Sequence, residues 1–374
     1  MRKFLLWPGW LAVLMPLSLI GCKGPKVLPA SDTAAKMPLL NGQQHVGMIE
    51  GFNPDNSAQL QDSVDQAWTQ AYDAGMDIGR LQIDWTELEP EEGEYDKEAL
   101  RGPLAAMQAK GLQPMLTLAV IESEDVLAPE YLEGRAVDDK RVLERFSALM
   151  EWVIPMLTEY GGWAIAIGNE PDNAFAERRK LVDEVITFLR YGRGEIHRLN
   201  PDMAVTITLN IGNAAASQAD MEAMLEHVDV ASFNLYGAAA YPLFRPLTEA
   251  ENQVQFDLML AMSGDKQVIL QELGMHTDTD LMNSSEAEQA DFFDFSFTYM
   301  EQHPRIRAAY VFQLVDWSPA AIEVLNTLYE PSVDQTFIDQ YSVVLATLGV
   351  MEFGTGRTKP AWPVILAYIE KFAE

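Results

Sequence analysis

Trp163-Ala164-Ile165-Ala166-Ile167-Gly168-Asn169-Glu170-Pro171, then a helix-like stretch from Lys180 to Asn200, then Pro201 and the run Met203–Leu209, is the passage that decides the fold. The first run is short and continuously aliphatic, as expected of a strand buried on both faces. In the second, Leu181, Val185 and Leu189 recur every four residues and share one face of a helix. Asn200-Pro201 stops that helix where the next strand must begin. Strand, amphipathic helix and strand in this order make one βα unit and open the next.

The same alternation extends in both directions from His45 onward. It predicts strands at Val46–Ile49, Gly79–Ile83, Pro114–Val120, Trp163–Ile167, Met203–Leu209, Val228–Phe233, Gln267–Gln271 and Ala308–Val315. Eight such units with no linker between them fit one (β/α)8 barrel, an α/β fold, with extended loops at Glu122–Ala136, Gly237–Thr248 and Ser318–Thr347. An open parallel sheet is the alternative. His197, on the predicted helix, is given no catalytic role.

With 374 residues, 48% of them hydrophobic, the chain can bury a large core and is neither collagen-like nor wholly disordered. Its formal charge is −30. Residues 1–40 hold five basic residues and one acid, so the other 334 carry 21 basic and 55 acidic residues, a balance of −34. A field of that sign repels nucleic acid and anionic lipid, and points to a neutral or cationic ligand.

The amino terminus has a different composition. Arg2 and Lys3 precede an apolar run from Phe4 to Ile20 that Pro8 and Pro16 interrupt, the layout of a secretory signal. The run ends Leu19-Ile20-Gly21-Cys22, which resembles the lipobox of bacterial lipoproteins, and Cys22 is the only cysteine. That resemblance implies cleavage before Cys22, lipidation of this residue, and a lipid anchor in the membrane of the cell envelope. Lys23 stands where an Asp would signal inner-membrane retention, so the outer membrane is favoured. The expected organisation is a signal peptide over 1–21, a flexible tether over 22–43 and the barrel over 44–374.

In a barrel, residues just past the carboxyl ends of the strands line the active face. The fourth predicted strand stops at Gly168-Asn169-Glu170-Pro171 and the seventh at Glu272-Leu273-Gly274. Two carboxylates facing each other across the barrel mouth are what glycosidic bond cleavage needs. One protonates the leaving oxygen, and the other attacks or activates water. Taken alone, Asn169-Glu170-Pro171 also suits a helix start, with Asn as cap and Pro in the first turn.

This pairing resembles the clan A glycoside hydrolases, retaining enzymes with an acid/base Glu after Asn on strand four and a nucleophile Glu on strand seven. The resemblance covers nearly all of residues 45–374. It implies that Glu170 is the acid/base and Glu272 the nucleophile, with carboxyls roughly 5 Å apart, and that Asn169 binds the sugar 2-hydroxyl. Gly79-Arg80-Leu81-Gln82-Ile83-Asp84-Trp85, followed by Glu89-Pro90 and Gly93-Glu94-Tyr95-Asp96, is similar to the second-strand region of these enzymes. It places Arg80 beside the nucleophile and Trp85 at the substrate. Ser232-Phe233-Asn234-Leu235-Tyr236 supplies Asn234 toward the substrate and Tyr236 toward Glu272. Val315-Asp316-Trp317 supplies an indole, Trp317, as a floor under the sugar. Lys359-Pro360-Ala361-Trp362 is similar to the turn into the closing helix. Two departures stand out: strand three ends without the His that several such families carry, and Asn234 stands where some have His.

The five histidines show no zinc-ligand spacing, and no Walker loop or Gly-x-Ser-x-Gly elbow occurs, so no metal or cofactor is implied. The reading is a monomeric retaining glycoside hydrolase acting on a poly- or oligosaccharide. A non-catalytic surface glycan-binding lipoprotein, or a transglycosylase using the same intermediate, are its alternatives.

Overall fold

The computed structural model describes residues 39–374 apart from 55–56, 124, 176–177, 240–242 and 328–332. The expected signal peptide, Cys22 and the tether up to residue 38 lie outside the described residues. The last tether residues are packed rather than free: Leu40 is buried against the barrel floor, and Arg307 donates to the Gly42 carbonyl.

Eight parallel strands form a (β/α)8 barrel: β1 (His45–Ile49), β2 (Ile78–Asp84), β3 (Gln113–Ala119), β4 (Ala164–Asn169), β5 (Ala204–Asn210), β6 (Ala231–Tyr236), β7 (Val268–Gly274) and β8 (Ile306–Phe312). Hydrogen-bonded neighbours run β1-β8-β7-β6-β5-β4-β3-β2. β1 and β2 complete the ring as packed neighbours, the α-carbon of Gly47 being close enough that an added Cβ would lie 3.0 Å from Ile78. That Cβ would also lie 2.7 Å from the Tyr310 ring, which fills the barrel axis and leaves room only for glycine.

Helices α1 (Ala58–Asp73), α2 (Lys97–Ala109), α3 (Lys140–Glu159), α4 (Arg179–Leu199), α5 (Ala214–Leu225), α6 (Glu249–Met262) and α7 (Glu286–Gln302) connect the strands. After β8 the chain adds α8 (Pro319–Asn326) and α9 (Gln335–Thr347) before the closing helix α10 (Ala361–Ala373). The turn at Lys359-Pro360 does lead into that helix, and Trp362 is buried with its indole N–H on Gln70 at 2.7 Å.

All eight predicted strands are present, but β6 and β8 are displaced. β6 starts three residues later than expected because Asp229 is occupied at the barrel floor by Arg193, His197 and the Val205 N–H. His197 thus has a structural partner, Asp229, at 2.8 Å and does not line the cavity described below. β8 ends at Phe312, where the peptide bond to Gln313 is cis.

The interior is layered. At the bottom Leu40, Ile78, Met115, Ala164, Ile269 and Tyr310 form a dry cluster. Above it lies a buried polar layer in which Gln271 Oε1 accepts from the hydroxyls of Thr117 and Thr208, both at 2.8 Å. Gln271 Nε2 donates to Asn169 at 2.9 Å. A buried hydrogen-bonded network of this kind fixes the side chains above it.

Candidate active site

Both glutamates reach the barrel mouth through an irregularity in their strands. Pairing of β4 with β5 steps from Ala166↔Thr206 to Asn169↔Thr208, so β4 carries one extra residue. Pairing of β7 with β6 steps from Leu270↔Phe233 to Glu272↔Asn234, again one extra. A bulge re-aims the side chains that follow it. Here it lets Gln271 and Glu272, adjacent in sequence, both face the interior. Glu170 leaves β4 in the left-handed region, φ 48° and ψ 39°, a conformation costly for a residue with a side chain. Its N–H is held by the Thr208 carbonyl at 2.8 Å.

Glu272 is held by one cation and one phenol. Arg80, itself buried, donates from Nη1 to Glu272 Oε1 at 3.1 Å, and the Tyr236 hydroxyl donates to Oε2 at 2.5 Å. Thr117 fixes the guanidinium through Nε at 3.1 Å. Glu170 is held differently, by three amides. Asn234 and Asn210 donate to Oε1 at 2.8 and 3.1 Å, and Asn173 donates to Oε2 at 2.9 Å. Burial, and then the charge of Glu272, push the Glu170 carboxyl above its ordinary range, with the amide bonds opposing. One carboxyl is thereby disposed to carry a proton, while the other is clamped by a guanidinium and a phenol.

A cavity of about 580 Å³ opens onto both glutamates and is also lined by Asn169, Tyr236 and Trp317. Asn169 bridges the wall, accepting from Gln271 and Asn234 and donating to Glu122 Oε1 at 2.8 Å. Trp317 is half-buried, with its indole N–H on Gln313 at 2.9 Å. Trp85 is placed elsewhere. It is fully buried against Phe146 with its N–H on Glu89 at 2.9 Å, because Trp85 opens a helical turn that faces α3 instead of the barrel mouth. Among the described residues no group of three or more His, Cys, Asp or Glu is placed to hold a metal ion.

Several site residues escape a reading of the sequence. Asn210 ends β5 as Asn169 ends β4, and that parallel was the available signal. Glu122 and Phe312 gave none, since one lies in a two-residue pairing beyond β3 and the other looks like an ordinary strand residue.

Glu122 is a third carboxyl in the wall, pushed up to about 8. Burial is the main cause, with Glu170 and Glu272 adding to it, while the Asn169 bond and Arg80 oppose. Gln82 also donates to it, at 3.3 Å. Below its ordinary value of 4.5 the group is protonated in the folded and unfolded chain alike. As pH rises from there to about 8, the unfolded chain releases a proton that the folded chain keeps, so stability is lost over that window. Glu122→Gln is therefore expected to raise the thermal midpoint at pH 8 and to leave it unchanged near pH 4. A variant that tracks the parent across the whole range would mean that the folded state does not hold this proton.

No protein-family model matches the chain, and no curated protein matches it. Solved structures do. An exo-β-1,4-mannosidase, Op5Man5 from Opitutaceae bacterium strain TAV5, superposes with a TM-score of 0.64 at 16% identity, over 91% of this chain and 62% of that one. A GH5_18 protein from Streptomyces cattleya in complex with GlcNAc gives 0.63 at 14% identity, over 88% and 80%. A β-glucosidase, 1317, gives 0.58 at 16% identity, over 89% and 98%. The chain thus spans less than two thirds of the mannosidase. At these identities the likeness is one of fold.

Proposed function

We propose that this protein is a retaining glycoside hydrolase that cleaves O-glycosidic bonds by double displacement. The observation that carries the reading is the contrast between two carboxyls on one cavity: Glu170 is amide-held with its affinity for protons raised, and Glu272 is clamped by Arg80 and Tyr236. Glu272 attacks the anomeric carbon as the bond to the leaving oxygen breaks, and that oxygen takes the electron pair and the proton of Glu170. The glycosyl-enzyme is then opened by water, which loses a proton to Glu170. A sugar acceptor in place of water would give transglycosylation. The similar structures are named as glycosidases, which supports the class of reaction and leaves the sugar open.

Turnover of a panel of aryl β-glycosides tests the reading, together with a 2-deoxy-2-fluoro glycoside that should leave a mass adduct on the peptide containing Glu272. Absence of both turnover and adduct across the panel would favour the non-catalytic glycan binder.

Tyr236→Phe keeps the ring that packs edge-on to Phe312 and removes the hydroxyl on Glu272. A hydrogen bond to a charged group contributes about 1.5–3 kcal/mol, so kcat/KM should fall roughly 10- to 150-fold. Undiminished turnover would mean that the hydroxyl does not serve Glu272.

The proposal extends to a lipid anchor on Cys22 that holds the enzyme at the cell envelope, with the outer membrane favoured. Cys22→Ser should leave the barrel folded and move the protein from the membrane fraction to the soluble one. Retention of the variant in membranes would remove the anchor.

A further inference from the structure

The cavity has two unlike halves. On the β2–β3 side, Gln82, Asp84 and Glu122 present amide and carboxyl groups. On the opposite side, Phe244 after β6, Met275 after β7, Leu325 on α8, and Val344, Leu345 and Leu348 on or just after α9 present hydrocarbon, each of them more than nine-tenths buried. Apart from Met275, which belongs to the main core, this wall is part of a separate hydrophobic cluster built largely from the two helices inserted after β8. Its polar groups are few. Among the described residues, His276 has its Nε2 on the Phe244 carbonyl at 2.6 Å and its Nδ1 without a partner within the protein, Gln255 Oε1 likewise has none, and Tyr341 of α9 is the one hydroxyl that the two inserted helices bring to the lining.

The position of the general acid says which part of a substrate meets which half. Glu170 Oε1 is held toward β5 and β6 by Asn210 and Asn234, while Asn173, just after β4, holds Oε2. An acid must come within hydrogen-bond reach of the oxygen it protonates. The leaving group therefore lies on the β5–β6 side, against Ile211 and Phe244 and under the α8–α9 roof. The glycone lies toward Gln82 and Glu122, where its hydroxyls find partners. A second sugar in the apolar half would leave most of its hydroxyls unpaired, which a buried site penalises. No lysine or arginine lines the cavity among the described residues, so an anionic leaving group finds no counter-charge there.

From this we infer that the substrate is a glycoside of an apolar alcohol, alkyl or aryl, and that the α8–α9 insertion is the element that selects it. The inference rests on the glycoside hydrolase reading above and puts an apolar glycoside in place of the poly- or oligosaccharide expected from the sequence.

The test uses the full chain and the glycone that the aryl panel selects, presented as its n-butyl glycoside, its n-octyl glycoside below the micellar concentration, and a disaccharide with the same linkage. Each fully buried methylene is worth about fourfold, so four added methylenes should raise kcat/KM at least about tenfold even when they are only partly enclosed. The octyl glycoside should also exceed the disaccharide. Leu325→Ala and Leu345→Ala, on different helices, should each reduce the octyl-to-butyl ratio severalfold, and either variant suffices if the other does not fold. An octyl-to-butyl ratio near one, or a preference for the disaccharide, overturns the inference. If the fluoro-glycoside labels Glu272 while the ratio is flat, the substrate class alone is wrong. If neither labelling nor turnover occurs, the hydrolase reading has failed, and the inference with it. Calorimetry on Glu272→Gln adds a readout free of turnover: octyl glycoside should bind more tightly than butyl by the same factor, and equal affinities count against the apolar half.

Discussion

Glu272→Ala is expected to reduce turnover by about four to six orders of magnitude, the scale seen when an enzyme loses its nucleophile. Added azide or formate should restore part of the activity with inverted product. The reason is geometric. Removing the carboxylate leaves a space bounded by Arg80 Nη1 and the Tyr236 hydroxyl, two donors that now face it without their acceptor. A small anion fits that space and attacks the anomeric carbon directly, so one displacement replaces two. Glu170→Ala should behave otherwise. Its nucleophile is intact, so rescue by azide should give retained product, and glycosides with good leaving groups should suffer least because they need no proton. Product configuration by NMR separates the two. If both variants give the same configuration on rescue, the roles assigned to the glutamates are wrong.

Both glutamates could be singled out in the sequence because each stands two or three residues beyond an aliphatic run, and the carboxyl ends of the strands face the mouth of a barrel. The bulges that aim them could not. One extra residue in β4 and one in β7 shift the inside-outside alternation, so that Gln271 and Glu272 both turn inward, and alternation read from sequence assigns them to opposite faces. The start of β6 within the expected Val228–Phe233 run was similarly misplaced, since Asp229 spends its carboxylate on Arg193 and His197 in place of opening a strand. The apolar half of the cavity was the least legible part. It depends on two helices in a segment expected only as a long loop after β8, and on how they pack with Phe244.

The Trp85 region shows how a motif can be located correctly and assigned the wrong task. Its turn is organised around Glu89, which is fully buried. Glu89 Oε2 accepts the Trp85 indole N–H at 2.9 Å, and Oε1 accepts the Gly93 N–H at 2.9 Å and the Arg145 guanidinium. Gly93 lies at φ 78°, where a side chain would be strained, and Asp96 closes the turn by capping α2 through the Ala99 N–H at 3.1 Å. The Glu89-Pro90, Gly93 and Tyr95-Asp96 turn therefore fastens β2 to α3, and none of these residues lines the cavity. Glu89→Ala should then lower stability strongly, because it strands the Arg145 charge and the buried Trp85 indole N–H at once and releases the Gly93 N–H. Removing one partner of a buried ion pair costs about 3–5 kcal/mol, and the shift in denaturant midpoint at constant slope measures it. Arg145→Met on top of Glu89→Ala should recover part of the loss, since the stranded charge is gone, and the two changes should be clearly non-additive. A loss below about 1 kcal/mol in Glu89→Ala would mean that the pair behaves as an exposed one. The turn would then be held by packing of Trp85 on Phe146, and Trp85→Ala, not Glu89→Ala, would become the variant that loosens β2 from α3.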